Sequence, residues 1–208
     1  MNLAESTIMN AIRYSMVKNC FANIILAGPV YAGKRSMANL IAMNLNFTYS
    51  EKVASVFSEE KYFRELPENK FNVKDIDSED AFDTYQYLWD VKRFLAQEYD
   101  KPKMVTKKGK ENIDYIYGLE PKEKVNIFTG PHAIKLLKEN VEIPEAIYIY
   151  VDADVQKCIQ RRSGNSNISP NFPIGSDEWK MYFDFVLSQN ERYILPQKDM
   201  ADIIIRCD

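Results

Sequence analysis

Residues 3–18 place Ala4, Ile8, Ile12 and Met16 at four-residue intervals, the spacing that keeps side chains on one face of an α-helix. The pattern then changes. Phe21-Ala22-Asn23-Ile24-Ile25-Leu26-Ala27 is a short, nearly continuous apolar run closed by Gly28, which predicts a strand buried on both faces. Helical spacing returns over Lys34–Leu45 with Met37, Leu40, Ile41 and Leu45, and Val53–Phe57 is a second short strand. The stripe Ala81, Tyr85, Leu88, Val91 and Leu95 predicts a long helix from Ala81 to Tyr99. Val125–Phe128 and Ala146–Val151 are further strands, each leading into a helical segment. Trp179, Tyr182, Phe183 and Val186 mark a last helix before the strand Ala201–Ile205.

Two stretches interrupt this alternation. Residues 100–121 carry Pro102, Gly109 and several lysines before Ile113, Tyr115 and Tyr117, which suggests an exposed excursion with a hairpin as one option. Residues 163–176 are rich in Ser, Asn, Pro and Gly and read as a lid-like loop. Parallel neighbours need helical crossovers, so strands alternating with helices predict an α/β chain. The expected form is a three-layer sandwich around a mainly parallel five-stranded sheet, in one domain over residues 1–208.

Composition narrows the classes. With 46% hydrophobic and 27% charged side chains, the chain can bury a real core and lacks the make-up of a disordered segment. Its 27 basic and 30 acidic residues argue against nucleic-acid binding through a general basic surface. No apolar run reaches the roughly 18 residues of a membrane span, so no membrane partner is expected. Glu5, and the lack of an apolar stretch followed by a cleavage site, speak against a secretory leader. Cys20, Cys158 and Cys207 are odd in number, without a CxxC pair, which fits reduced thiols and a cytoplasmic location. A single histidine, His132, excludes a metal site built on several histidines. Self-association into a homo-oligomer stays open.

Gly28-Pro29-Val30-Tyr31-Ala32-Gly33-Lys34 matches the GxxxxGK core of a phosphate-binding loop, between a predicted strand and a predicted helix. Glycines allow the tight turn that converges backbone N–H groups on phosphate oxygens. The helix N-terminus adds partial positive charge, and Lys34 reaches the terminal phosphates. The expected contacts are Gly28, Tyr31, Ala32, Gly33, Lys34, Arg35 and Ser36. The alternative is a glycine-bounded turn with an exposed lysine. The strict motif follows its lysine with Ser or Thr to bind Mg²⁺, and Arg35 stands there instead. Adenylate-kinase-like loops carry a hydroxyl one place later, which makes Ser36 the candidate metal contact.

Downstream, residues 21 to 205 resemble the uridine–cytidine kinase family within the uridine kinase and phosphoribulokinase group. Four stretches carry the resemblance. Ser58-Glu59-Glu60-Lys61-Tyr62-Phe63-Arg64 is similar to S-x-D-x-[FY]-Y-[KR]. Phe71-Asn72-Val73 through Asp77-Ser78-Glu79-Asp80-Ala81-Phe82-Asp83 is similar to N-F-D-H-P-D-A-F-D. Tyr150-Val151-Asp152-Ala153-Asp154 with Arg161-Arg162 is similar to F-V-D-T-D…R-R. Tyr182–Val186, Leu195-Pro196 and Met200–Ile205 are similar to Y-x-x-F-V…L-P…Y-A-D-[VI]-I-I.

The resemblance implies a P-loop nucleoside or nucleotide kinase fold and a role for each matching residue. The acid acting on the acceptor hydroxyl falls on Glu60, one methylene longer than the family's aspartate; the alternative is a solvated glutamate. The ribose-gripping acid falls on Asp77, the alternative being a helix cap. Lys34, Glu60 and Arg162 form the implied catalytic set, Arg161 contacts phosphate, and Tyr62 could stack on the substrate. Either arginine could instead be an ordinary surface residue of its helix. His132, near the expected cleft, is read as structural.

The departures are equally specific. The family's glutamate before glycine after strand three is Thr129-Gly130 here. Its base-recognising residues have no counterparts after Pro102. Of its arginine-rich lid only Arg161 and Arg162 remain. The implied activity is transfer of the γ-phosphate of ATP, with Mg²⁺, to a hydroxyl of a nucleoside or similar small-molecule acceptor. The alternative, motivated by these departures, is a nucleotide-binding pseudokinase acting as a regulatory or interaction module.

Overall fold

The computed structural model describes residues 3–64, 77–96, 104–105, 114–115, 124–163 and 172–207. In chain order the elements are α1 (Leu3–Asn19), β1 (Ala22–Ala27), α2 (Lys34–Tyr49), β2 (Ala54–Ser58) and α3 (Thr84–Leu95). A short antiparallel pair, β3 (Met104–Val105) and β4 (Asp114–Tyr115), precedes β5 (Val125–Thr129) and α4 (Ala133–Asn140). Then come β6 (Ala146–Ala153), α5 (Val155–Ser163), α6 (Asp177–Gln189) and β7 (Ile203–Cys207).

The apolar runs become the middle of the sheet. Every residue of β1 and β5 is buried, as two-faced parallel strands require. The sheet order is β2-β5-β1-β6-β7, and all neighbouring pairs are parallel. One face packs Ile24, Leu26 and Ile127 against Ile8 and Ile12 of α1 and Ala38 and Ile41 of α2. The other packs Ile25, Phe128 and Tyr150 against Tyr87, Val91 and Phe94 of α3 and Ile134 and Leu137 of α4. The result is the expected three-layer sandwich. Two buried amides inside it are matched: Asn126 Nδ2 donates to Asn23 Oδ1 at 3.0 Å, and Asn23 Nδ2 to the Pro144 carbonyl at 2.8 Å.

Element boundaries differ from the sequence expectation for local reasons. The helix expected from Ala81 starts at Thr84, because Asp83 caps it by accepting from the Gln86 N–H at 3.0 Å; Ala81 lies in the preceding 3₁₀ turn, Glu79–Ala81. The last strand starts at Ile203, after Asp202 has clamped Tyr148 through two 2.8 Å hydrogen bonds. A π-helical turn, Asn190–Ile194, and a 3₁₀ segment, Leu195–Met200, were not expected. Residues 97–99, most of the 100–121 excursion, and 164–171 of the lid-like loop lie outside the described residues. So does the Phe71-Asn72-Val73 stretch.

Candidate functional site

Because the central strands run parallel, the segments after β1, β2, β5 and β6 leave the sheet at one edge. Chain order reverses around β1, where α/β sheets open a crevice for ligands. The GxxxxGK loop sits in that crevice. Gly28 has φ 146°, and a Cβ there would lie 2.4 Å from the Val151 carbonyl oxygen, so only glycine lets the loop pass β6. Gly33, the N-cap of α2, has φ 82°, and Tyr31 takes φ 67°, a left-handed conformation that a tyrosine adopts only under constraint.

Lys34 is buried, and its Nζ donates to the carbonyls of Gly28 at 2.9 Å and Pro29 at 2.7 Å. The side chain therefore arches over its own loop rather than pointing to solvent, against the exposed-lysine alternative. Burial lowers its pKa from the ordinary 10.5, while nearby Glu60, Glu59 and Asp77 pull it back up. Those three carboxylates surround the loop, and each has a cationic or imidazole partner of its own.

Glu59 is fully buried; its Oε1 lies 3.0 Å from His132 Nδ1, and its Oε2 accepts from the His132 backbone N–H at 3.0 Å. Gly130 makes room for it, since a Cβ there would fall 2.0 Å from Glu59 Oε2. His132 Nε2 lies 3.0 Å from the Asp77 carbonyl oxygen, so the pair ties the ends of β2 and β5 to the segment carrying Asp77. The Asp77 carboxylate itself forms a buried ion pair with Arg162 of α5. Glu60 lies at the rim, its side chain 35% exposed, with Arg35 Nη1 3.5 Å away.

The residues expected from sequence thus divide. Gly28, Tyr31, Ala32, Gly33, Lys34, Arg35 and Ser36 make one continuous loop and first helical turn. Arg161 reaches it, donating from Nη1 to the Tyr31 carbonyl at 3.3 Å. Asp77 and Arg162 are together but inside the protein, and Asp77 does not cap α3, which Asp83 does. Tyr62 is turned into the aromatic cluster: its ring stacks on Phe57 at 6.1 Å and meets Tyr87 edge-on, and its hydroxyl donates to Asp90 at 2.9 Å. Those contacts make it a packing residue, not a free stacking surface. The sequence motif points to Glu60 and not to its neighbour Glu59, although Gly130 and His132 after β5 are the small residue and the partner that the burial of Glu59 needs.

A direct Mg²⁺ site at this loop needs oxygen donors beside Lys34. The position after Lys34 is a guanidinium, the end of β5 offers the Thr129 hydroxyl in place of an acid, and Ser36 is exposed on α2. Among the described residues no group of three or more His, Cys, Asp or Glu side chains could hold a metal ion. Glu59 and Asp77 are held in buried pairs and Glu60 at the rim has only a 3.5 Å contact to Arg35, so the residues beside Lys34 supply no direct Mg²⁺ shell.

No protein-family model and no curated protein sequence matches the chain. Solved structures do. The YGR205w protein superposes with a TM-score of 0.61 at 10% identity, covering 100% of this chain and 95% of that one. A protein assigned as a fructose transport system kinase, from Silicibacter sp. TM1040, superposes at 0.55 with 12% identity, covering 98% of this chain and 100% of its own. No helix among the described residues is long and apolar enough to cross a membrane. Sheet order, parallel pairing and a glycine loop running into a helix at the switch point all agree with these likenesses: the chain has the fold of the P-loop kinases.

Proposed function

We propose that the chain is an ATP-dependent phosphotransferase that moves the γ-phosphate to a hydroxyl of a small acceptor, nucleoside-like by its sequence resemblance. The observation that carries this reading is the Gly28–Lys34 loop, held in left-handed backbone conformations at the N-terminus of α2 with Lys34 folded over it. The triphosphate lies along the backbone amides of residues 28–36, and Lys34 exchanges its two loop carbonyls for phosphate oxygens. Arg161, bonded to the Tyr31 carbonyl, supplies positive charge beside the transferring group. Glu60, at the rim and partly exposed, accepts the proton of the acceptor hydroxyl or anchors it. Arg162 holds the Asp77 carboxylate in the acceptor wall.

A second reading is a nucleotide-binding module without transfer. It is favoured by one observation: both acceptor-side carboxylates are already engaged within the protein, Glu60 by Arg35 and Asp77 by Arg162. Acceptor-dependent ADP formation, measured over nucleosides and small sugars with wild type and Glu60→Gln, separates the two. Glu60→Gln keeps shape and length but loses basicity, so transfer is expected to fall about a hundredfold with ATP binding retained. Equal rates in both proteins contradict the role of Glu60. ATP binding with no turnover of any acceptor supports the second reading.

A further inference from the structure

Resting on the phosphate-loop reading above, we propose that the loop binds nucleotide phosphates without a divalent cation, with Arg35 serving as the built-in counter-charge. A metal-using loop brings three things to the phosphates: a lysine, a hydroxyl beside it to hold the ion, and an acid at the end of the adjacent strand. Here a guanidinium stands directly after the lysine, with the Ser36 hydroxyl one place further along on the exposed side of α2, and the third is a threonine. Both replacements act in one direction, since one adds a fixed positive charge where the ion would sit and the other removes the negative charge that would attract it.

The surroundings agree. Thr129 Oγ1 and Ser58 Oγ, on residues paired in the β2–β5 register, are buried without a hydrogen-bond partner among the described residues, and they are neutral hydroxyls rather than carboxylates. The buried acid of this edge, Glu59, is held by His132 from two directions and cannot reach an ion without breaking both contacts. Arg35 is on the first turn of α2 with its side chain half exposed, and its contact to Glu60, at 3.5 Å, is long and solvent-screened. A phosphate oxygen competes for Arg35 on better terms: it adds a charge-assisted, bidentate-capable acceptor at a helix N-terminus, where backbone N–H groups already favour an anion. Engaging phosphate also releases Glu60 from Arg35, so nucleotide binding and exposure of the acceptor-side carboxylate become one event.

The test is isothermal titration of the full chain with ATP at constant pH and ionic strength, once with excess EDTA and once with MgCl₂. Affinities within about threefold of each other are expected. An affinity in EDTA tenfold or more below that in MgCl₂ overturns the proposal while leaving the phosphate-loop reading intact. Absence of ATP binding in both conditions sinks the loop reading and this proposal with it. Arg35→Ser, at an exposed position where folding is not at stake, is expected to lose at least tenfold in EDTA, where the built-in charge is all the loop has. Wild-type affinity of Arg35→Ser in EDTA means that Arg35 is not the counter-charge, and the proposal fails.

Discussion

Among single residues, Glu59 and His132 are both fully buried and hold each other through two contacts of 3.0 Å. His132 Nε2 faces the Asp77 carbonyl and Nδ1 faces Glu59 Oε1, two acceptors at 3.0 Å each. Removing either partner leaves a buried polar group stranded. Glu59→Ala and His132→Ala are each expected to destabilise the fold by about 3–5 kcal/mol in denaturant unfolding, with the double variant costing clearly less than the sum. Strict additivity would show that the two side chains are energetically separate. The lysine, the glycines and Arg161 were legible in the sequence because a short motif and a family resemblance point at them. Glu59 was not, because only its neighbour Glu60 falls on the motif position. What distinguishes the two is burial beneath Gly130, which no local pattern reveals.

At the scale of elements, the sheet was legible and the helix ends less so. Continuous apolar runs such as Ala22–Ala27 announce strands buried on both faces, and β1 and β5 are buried throughout. The apolar pattern places the start of α3 too early, because Ala81 is apolar, buried and in phase with the helix stripe while lying in a 3₁₀ turn. The residue that decides the matter is Asp83, whose carboxylate takes the Gln86 N–H; its contact to Arg64 at 3.2 Å is largely exposed and adds little. Asp83→Ala is therefore expected to cost about 1 kcal/mol, while Arg64→Ala costs less, both read by thermal or denaturant unfolding. The opposite ranking would place the ion pair, not the cap, in control of the α3 start. The Leu195–Met200 segment was invisible for a different reason. It is organised by the buried Gln197, whose side chain donates to the Pro131 carbonyl at 2.7 Å and accepts from the Lys135 N–H at 3.1 Å, contacts made across the fold.

At the scale of the whole molecule, the fold buries Lys34 where several chain segments meet, and its ionisation ties fold to ligand. Burial holds the pKa of Lys34 below its ordinary 10.5, so between the folded value and 10.5 the unfolded chain binds more protons. Stability from this group accordingly rises with pH across that window, as the cost of burying a cation is relieved. ATP binding has the opposite preference, because phosphate favours the charged amine: affinity should fall as pH climbs through the folded value, and binding there should take up a proton. The measurement that bears most directly on the phosphate loop is ATP titration calorimetry of wild type and Lys34→Ala as a function of pH. Lys34→Ala should bind at least tenfold more weakly at neutral pH, about 1.4 kcal/mol, with an affinity that no longer falls in the alkaline range. A folded Lys34→Ala protein that binds ATP as tightly as wild type, with the same pH profile, would contradict the account.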